Sequence, residues 1–498
     1  MAGINLRGET SGSVEITSPA VAGDTTITLP NSNGTANQFF KNSTTAGIIT
    51  YSSMVEDTSG NIGIGSTQPT SKFDITGNVK ITGISTLSNV TVGGATTELV
   101  VNGDARVTGI LTVGTASVTF NGTDGTITGI NTINGVSFPS AGALSNRNLI
   151  INGAMRVAQR GTSSTSDDIQ TVDRWKNQFG QGAVTQSQQA LTSGAPYNEG
   201  FRYFARLQNT TGTTAANSYR NFQQRLEGQD VATCGWDHTS SSSYITLSFW
   251  VRSSVAQTYY AYVRTMDGTE RIYNFPFTLA ADTWTKITET IPGNSSNQID
   301  NDNGHGFNVV IVAYYGTDFT DSSNTDRAWR NRSNAVDYLP DMTNTWSNTT
   351  NATFDLTGVQ IEVGEKATPF EHRSFGDELA RCERYFEVIG GRAEAFMGYA
   401  YASASAAVPI RYRTVKRAIP GTITLASAGQ STGEITFLTA GGTYPSTTGN
   451  NAVEVITTQS FRVTGSSYSG LNANSPSNFY ITGTAGQTHT IAEVDAEL

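Results

Sequence analysis

The chain has 498 residues, 51 of them Gly, with charged side chains at only 14% of positions and a formal net charge of −10. This low charge, with abundant Ser, Thr, Asn and Gly, is unlike the charge-rich make-up of disordered chains and suits many short strands joined by tight turns. The acidic balance, without a Lys/Arg-rich stripe, argues against nucleic acid as a partner, and no apolar run approaches the ~20 residues that span a bilayer, so no membrane insertion is expected.

Residues 1–55 read as a small β module. Ser13-Val14-Glu15-Ile16 and Thr26-Ile27-Thr28-Leu29 alternate polar and apolar side chains, and Pro30-Asn31-Ser32-Asn33-Gly34 follows as a turn cluster. Met1-Ala2-Gly3-Ile4-Asn5 opens on polar sequence rather than a charged and apolar leader.

Residues 56–144 differ in kind. The segment 75–87, Ile75-Thr76-Gly77-Asn78-Val79-Lys80-Ile81-Thr82-Gly83-Ile84, recurs 26 positions on as Val101-Asn102-Gly103-Asp104-Ala105-Arg106-Val107-Thr108-Gly109-Ile110. A partial third copy stands at Thr128-Gly129-Ile130-Asn131-Thr132-Ile133. Apolar residues come in alternating pairs, Phe73/Ile75, Val79/Ile81, Val90/Val92, Ala105/Val107 and Val118/Phe120, each cut off by Gly or Asn within a few residues. Such strands expose one thin apolar row that a single copy cannot bury. Sister chains wound on a common axis can bury it, so the repeat predicts an oligomeric β shaft.

Residues 145–375 read as a β-sandwich. In Tyr244-Ile245-Thr246-Leu247-Ser248-Phe249-Trp250-Val251-Arg252, one face carries Ile245, Leu247, Phe249 and Val251. Further strands are expected at 258–264, 284–291, 309–315 and 359–363, with Gly358 as a bulge. A helix is expected over 376–388, with Leu379, Cys382 and Phe386 on one face and Ser374/Asp377 as a capping pair. That spacing makes Cys382 a packing thiol. With only Cys234 and Cys382, a disulfide scaffold is excluded and synthesis in a reducing cytoplasm is the simplest expectation. Residues 390–498 return to strand pattern as a terminal β domain.

Three stretches carry a family resemblance. Gly60-Asn61-Ile62-Gly63-Ile64-Gly65-Ser66 with Lys72-Phe73-Asp74-Ile75 resembles a signature of phage tail proteins and other surface fibres. Asn148-Leu149-Ile150-Ile151-Asn152-Gly153-Ala154-Met155 with Ala158-Gln159-Arg160-Gly161 resembles the opening of a jelly-roll module of phage fibres. Val359-Gln360-Ile361-Glu362-Val363-Gly364 with Ala367-Thr368-Pro369-Phe370-Glu371, and then Cys382-Glu383-Arg384-Tyr385-Phe386, resembles its close. The resemblance covers roughly residues 60–390, and its style is that of cyanophage structural proteins. It implies an elongated homotrimeric virion fibre, assembled in the host cytoplasm, with a sandwich similar to carbohydrate-binding modules. The N-terminal module would dock on virion tail or adaptor proteins, and the distal domains would face a host polysaccharide or receptor. A head fibre or decoration protein of the same construction, and a polysaccharide-degrading tailspike, are the alternatives.

The remaining motifs point away from catalysis and cofactors. Gly429-Gln430-Ser431-Thr432-Gly433 has the nucleophile-elbow pattern, with Glu454 and His489 following in order, but it lies between strand-like segments with no helix after it. A hairpin turn is the better account. Asp300-Asn301-Asp302-Asn303-Gly304 resembles a calcium loop but fails the EF-hand spacing, and Asp167, Asp168 and Asp173 form a second weak group. His238, His305, His372 and His489 lack metal-ligand spacing. No catalytic residue, metal or cofactor is therefore assigned. For a glycan the useful groups are aromatics on loops, whose flat rings stack on the apolar faces of sugars. The candidates are Trp236, Trp329, Tyr338 and Trp346.

Overall fold

The computed structural model describes residues 145–390, 396–425, 450–468, 471–481 and 491–498, with shorter segments at 3–7, 13–17, 27–31, 38–42, 48–64, 66, 68, 70–76, 110–112, 119–121, 126–128, 132–133, 136–137, 435–439 and 442–445. The architecture is all-β. The chain divides into units 1–106 and 107–498.

In the first unit, Gly3–Arg7 pairs antiparallel with Ser13–Thr17. Gln38–Asn42, Ile49–Glu56, Ile62–Ile64 and Phe73–Ile75 form a four-stranded sheet whose last two strands run parallel. This sheet runs through the boundary expected at 55/56, because the Gly-rich signature supplies its third and fourth strands. Asp57 shapes the turn between the second and third, its Oδ1 accepting from Ser59 N and Asn61 N, both at 2.8 Å. Residues 27–29 make only an isolated bridge, Thr28 to Ile48, rather than the expected strand. Most of the 26-residue repeat lies outside the described residues, including Val79/Ile81, Val90/Val92 and Ala105/Val107.

In the second unit, Ile110–Thr112, Thr119–Asn121 and Thr126–Thr128 form a three-stranded antiparallel sheet, and Thr132–Ile133 pairs with Val136–Ser137. The sandwich follows. Its strands are β1 (Ser163–Ser164), β2 (Lys176–Gly180), β3 (Ala183–Ala190), β4 (Tyr203–Thr211), β5 (Tyr219–Glu227), β6 (Tyr244–Ser253), β7 (Gln257–Thr265), β8 (Arg271–Leu279), β9 (Thr285–Pro292), β10 (His305–Tyr315), β11 (Arg330–Asn331) and β12 (Thr353–Val363). The first sheet has the order β1-β3-β4-β12-β6-β9 and the second β2-β5-β10-β7-β8-β11, each of six strands.

Period-two alternation places Ile245, Leu247, Phe249 and Val251 of β6 inside, opposite Tyr259, Ala261 and Val263 of β7 and Val309 and Ile311 of β10. Each Val, Leu, Ile or Phe side chain among these contributes roughly 1.5–3 kcal/mol on burial. Gly358 takes φ +65°, and the register against β6 slips there as the bulge reading expected. A Cβ at Gly358 would meet the Phe201 ring at 2.7 Å.

The two motifs that flank the sandwich in sequence form one fastening. Asn148 Oδ1 accepts from Ile150 N (3.0 Å) and Ile361 N (3.1 Å), while Glu371 accepts from the main-chain N–H groups of Arg147 and Asn148. Asn152, at φ +56°, bonds Arg156 N, Val157 N, Val157 O and Asp173 O through its side chain at 2.8–3.0 Å. Gly153 permits this closure, since a Cβ there would lie 2.1 Å from Val359 O. These residues hold the segment that opens the module against its last strand, β12.

Helix α1 spans Phe375–Glu383, shorter than expected. Ser374 Oγ accepts from Asp377 N at 3.1 Å as the capping pair predicts. Phe386 belongs instead to β13 (Phe386–Ile389), because pairing with Ala492–Asp495 draws the chain out of the helix. Cys382 is fully buried, and burial pushes its thiol well above the ordinary value. Beyond it, residues 386–389, 492–495 and 422–425 form a three-stranded sheet, and seven further strands, the first Phe396–Ala402, form another.

Candidate functional site

Alternation sends every second residue of the second sheet outward, and strand register turns those residues into rows. One row runs Arg225 (β5), Asn308 (β10), Arg264 (β7), Ile272 (β8) and Arg330 (β11). The next is Lys176 (β2), Gln223, Val310, Tyr262 and Asn274, and the third is Gln178, Asn221, Val312, Tyr260 and Pro276. The outer face therefore changes across its width, amide and charged over β2 and β5 and aromatic over β7. Phe319, Tyr338, Leu339 and Met342, from the loop after β10, cover Tyr262, Ile272, Val310 and Val312.

The polar half is under-bonded. Asn308 (0% exposed) donates from Nδ2 to Gln223 Oε1 at 3.3 Å, while its Oδ1 has no partner. Asn221 (1% exposed) donates to the Tyr315 hydroxyl at 2.9 Å, and its Oδ1 is likewise unpartnered. The Tyr315 hydroxyl lies 3.1 Å from that of Tyr262. Arg264 Nε, Arg225 Nε, Arg332 Nε and His305 Nε2 are also buried without a partner. A buried polar atom left unpaired costs about 1–3 kcal/mol, so native structures rarely hold several in one place unless something else satisfies them.

The electrostatics run the same way. Arg264 reaches Glu270 Oε2 at 3.2 Å, and Arg332 reaches the same oxygen at 3.0 Å, with both guanidiniums over the Tyr338 ring. Arg225 bonds the main-chain oxygen of Leu498, and Arg174 pairs with Glu497. Burial, then Arg225, Arg264 and Arg174, pushes the His305 imidazole down to about 3. It is neutral at ordinary pH. At the β2 edge a polar cavity of about 490 Å³ opens beside Lys176, lined also by Arg160, Asp168, Phe386, Asp495 and Glu497.

Of the four aromatics proposed from sequence, only Tyr338 stands at this face. Trp236 (3% exposed) packs on Phe307 in the core and donates to Ser243 O. Trp346 (0% exposed) is inside, edge-on to Phe354, with Nε1 bonded to Thr353 O at 3.0 Å. In this packing neither ring has a face free to stack on a sugar. Trp329 packs on Tyr273 at the sandwich edge and donates to Pro292 O at 2.6 Å. Asn221, Gln223, Arg225 and Asn308 are not among the residues that the sequence pattern singles out. Their signal was a strand polar at alternate positions, 221, 223 and 225, and one Asn set against an apolar run.

The other sequence groups stay apart. Asp173 is buried and accepts from Gln159 N at 2.9 Å, with burial pushing its carboxyl up to about 6. Asp168 pairs with Lys176 at 2.9 Å. Asp302 caps its own loop through Gly304 N. Among the described residues, no cluster of three or more His, Cys, Asp or Glu could hold a metal. The elbow pattern and His489 lie outside the described residues, and Glu454 pairs with Arg462 at 2.7 Å.

No family model and no curated protein matches this chain. Solved structures do. It is similar to a family 11 carbohydrate-binding module from Clostridium thermocellum, solved with a mixed-linked β-1,3-1,4 tetrasaccharide (14% identity, TM-score 0.20, covering 42% of this chain and 98% of that one). It is also similar to a family 4 carbohydrate-binding module (12%, 0.22, 43% and 97%). A third is the xylan-binding CBM22-1 domain from Paenibacillus barcinonensis (12%, 0.21, 41% and 94%). At these TM-scores the likenesses carry no argument about function.

Proposed function

We propose that the chain is a structural subunit of a virion fibre, a phage tail fibre, that binds host-surface glycan through the outer face of its second sheet and catalyses nothing. The observation that carries the glycan part is the strip of buried amides and guanidiniums with unspent hydrogen-bonding atoms beside tyrosine rings. A polyhydroxylated ligand supplies donors and acceptors at that spacing, and its apolar faces suit the rings. Glu270, the carboxylate beside these rows, is already shared by two arginines, which suits retention rather than hydrolysis by a carboxylate pair.

The fibre and homotrimer parts are supported by the repeat and by apolar side chains that a lone chain leaves in water. In the first unit Ile27 (67% exposed), Leu29 (67%) and Phe40 (63%) are of this kind. Partner chains would remove that surface. The place of action is then the virion, with the N-terminal module attached to tail or adaptor proteins.

Affinity electrophoresis of the purified full chain in envelope polysaccharide tests the binding. Retention lost in Asn308→Ala but kept in Arg206→Gln, on the opposite sheet, is the expected result. Equal retention of both variants would remove the face from consideration. Native mass measurement should give three chains per particle, and a monomer alone would sink the fibre reading. A reducing-sugar assay should show no turnover, since turnover would make the chain a tailspike enzyme.

A further inference from the structure

The same face gathers fixed positive charge along one row, although the chain as a whole is acidic at −10. Five guanidiniums, those of Arg174, Arg225, Arg264, Arg330 and Arg332, and the Lys176 ammonium stand on or beside these rows, with the carboxylates of Glu497, Glu270, Asp168, Asp326 and Asp337 among them. Arg174 takes Glu497, and Glu497 is also 3.5 Å from Arg160. Arg264 and Arg332 divide one carboxylate, Glu270. Arg225 has only a main-chain oxygen as its bonded partner among the described residues. Arg225 and Arg264 lie on either side of Asn308 in a single row, two strands apart. At about 4.8 Å per strand that spacing is ~10 Å, close to the span of two linked sugar rings.

Like charges gathered on a partly buried face repel one another and lose hydration, and a fixed anion between them relieves both costs. Burial pushes the Arg225 guanidinium down from its ordinary value; Asp168 opposes this, and Arg264 and Arg174 add to it. Guanidinium forks match planar oxyanions in pairs of hydrogen bonds. Asn308 Oδ1, unpartnered between the two arginines and covered in the free chain, offers an acceptor to a sugar hydroxyl once the flanking Arg225 and Arg264 side chains turn out to meet the anion.

We infer that the glycan taken by this face is acidic, a polysaccharide bearing carboxylate or sulfate groups, with Arg225 and Arg264 holding the anion and Asn308 a neighbouring hydroxyl. The inference rests on the glycan-binding reading above and narrows it.

The test measures binding of the purified full chain to a polyuronate, a sulfated polysaccharide and a neutral mixed-linked β-glucan, at low and high salt. Folding of each variant is checked by its denaturation midpoint. The acidic polymers should bind at least tenfold more tightly than the neutral one, with the preference falling as salt rises. Whichever acidic polymer binds better names the anion. Arg225→Gln should lose about tenfold toward it, and Arg225→Lys should recover part of that loss. If the neutral glucan binds as well as the acidic polymers and Asn308→Ala abolishes binding, the face stands and the acidic specificity is wrong. That specificity is equally wrong if Arg225→Gln leaves the acidic affinity within twofold. If no polymer binds, the glycan-binding reading itself falls with it.

Discussion

The two outward faces of the sandwich are built from similar residues and settle their hydrogen bonds in opposite ways. On the first sheet, Asp355 lies between Arg206 and Arg252 in one row and accepts four bonds from them at 2.7–3.0 Å. Trp250 beside it donates to Glu199 at 3.0 Å, and Lys286 closes on the same carboxylate at 3.1 Å. Arg252 then lies over the Trp284 ring, 4.7 Å from its centroid. Apart from the Trp284 Nε1, those polar groups are spent on one another. On the second sheet, arginines again flank the central strand, but the residue between them is Asn308, with half of its amide unused. Arginine and aromatic content alone would have picked the first face. What separates them is whether a neutral amide or a carboxylate sits between the arginines.

The sharpest way to break the comparison is to remove the carboxylate that closes the first face. Asp355→Ala leaves two guanidiniums, each 27% exposed, facing one another without a counter-charge. Water screens them in part, so the expected loss is about 1–3 kcal/mol, read as a lower denaturation midpoint. Glycan affinity should stay within twofold. A large loss of affinity at unchanged stability would move the site to this face.

A pH series separates two groups whose signs oppose. Asp173 has a folded pKa of about 6, raised from 3.8, so its contribution is complete below pH 3.8 and is lost as pH rises through 6. Asp173→Asn should remove that pH-dependent loss and flatten the curve between pH 4 and 7, at the cost of one of the two bonds that the carboxylate accepts from Gln159. His305 runs the other way. Its folded value of about 3 lies below 6.5, so stability falls as pH drops from 6.5 toward 3, because the unfolded chain takes up the proton first. His305→Gln should flatten that slope. Thermal midpoints of the variants from pH 3 to 8 check both, and parallel curves for wild type and variants would refute the assignments.

Much of the sandwich was legible because period-two alternation fixes which side of a strand is buried. Ile245 to Val251 and the 309–315 run are placed as read, and Val310 and Val312 are buried outward only because the loop after β10 folds over them. The site was less legible, for a reason that Trp236 and Trp346 make plain. Loops have no periodicity, so polar neighbours such as Asp237, His238 and the Asn/Thr run around 346 made these rings look exposed. In fact a short turn of helix at Thr345–Asn348 drives Trp346 into the end of the sandwich, where Asn209 Nδ2 bonds its carbonyl at 2.8 Å. The helix ends earlier than its apolar spacing predicts for a related reason. Leu379, Cys382 and Phe386 keep helical spacing, but pairing with 492–495 wins the last of them for a strand. The rows of the second face depend on the register of strands far apart in sequence, β5, β10 and β7, which no local pattern states.

The smallest expected effect on stability is also the most discriminating. Asn308 makes one long bond, 3.3 Å to Gln223, and keeps an unpaired acceptor in a fully buried position. Asn308→Ala removes that unpaired acceptor along with the weak bond, and the two contributions are opposite in sign and similar in size. The denaturation midpoint should therefore move by less than about 1 kcal/mol in equivalent free energy, far less than at Asp355. If ligand normally completes the amide, its loss costs binding what it does not cost folding, and glycan affinity should fall about tenfold. A variant that loses stability instead, with affinity intact, would show that the Asn308 amide belongs to the fold, as Asp355 does on the opposite sheet.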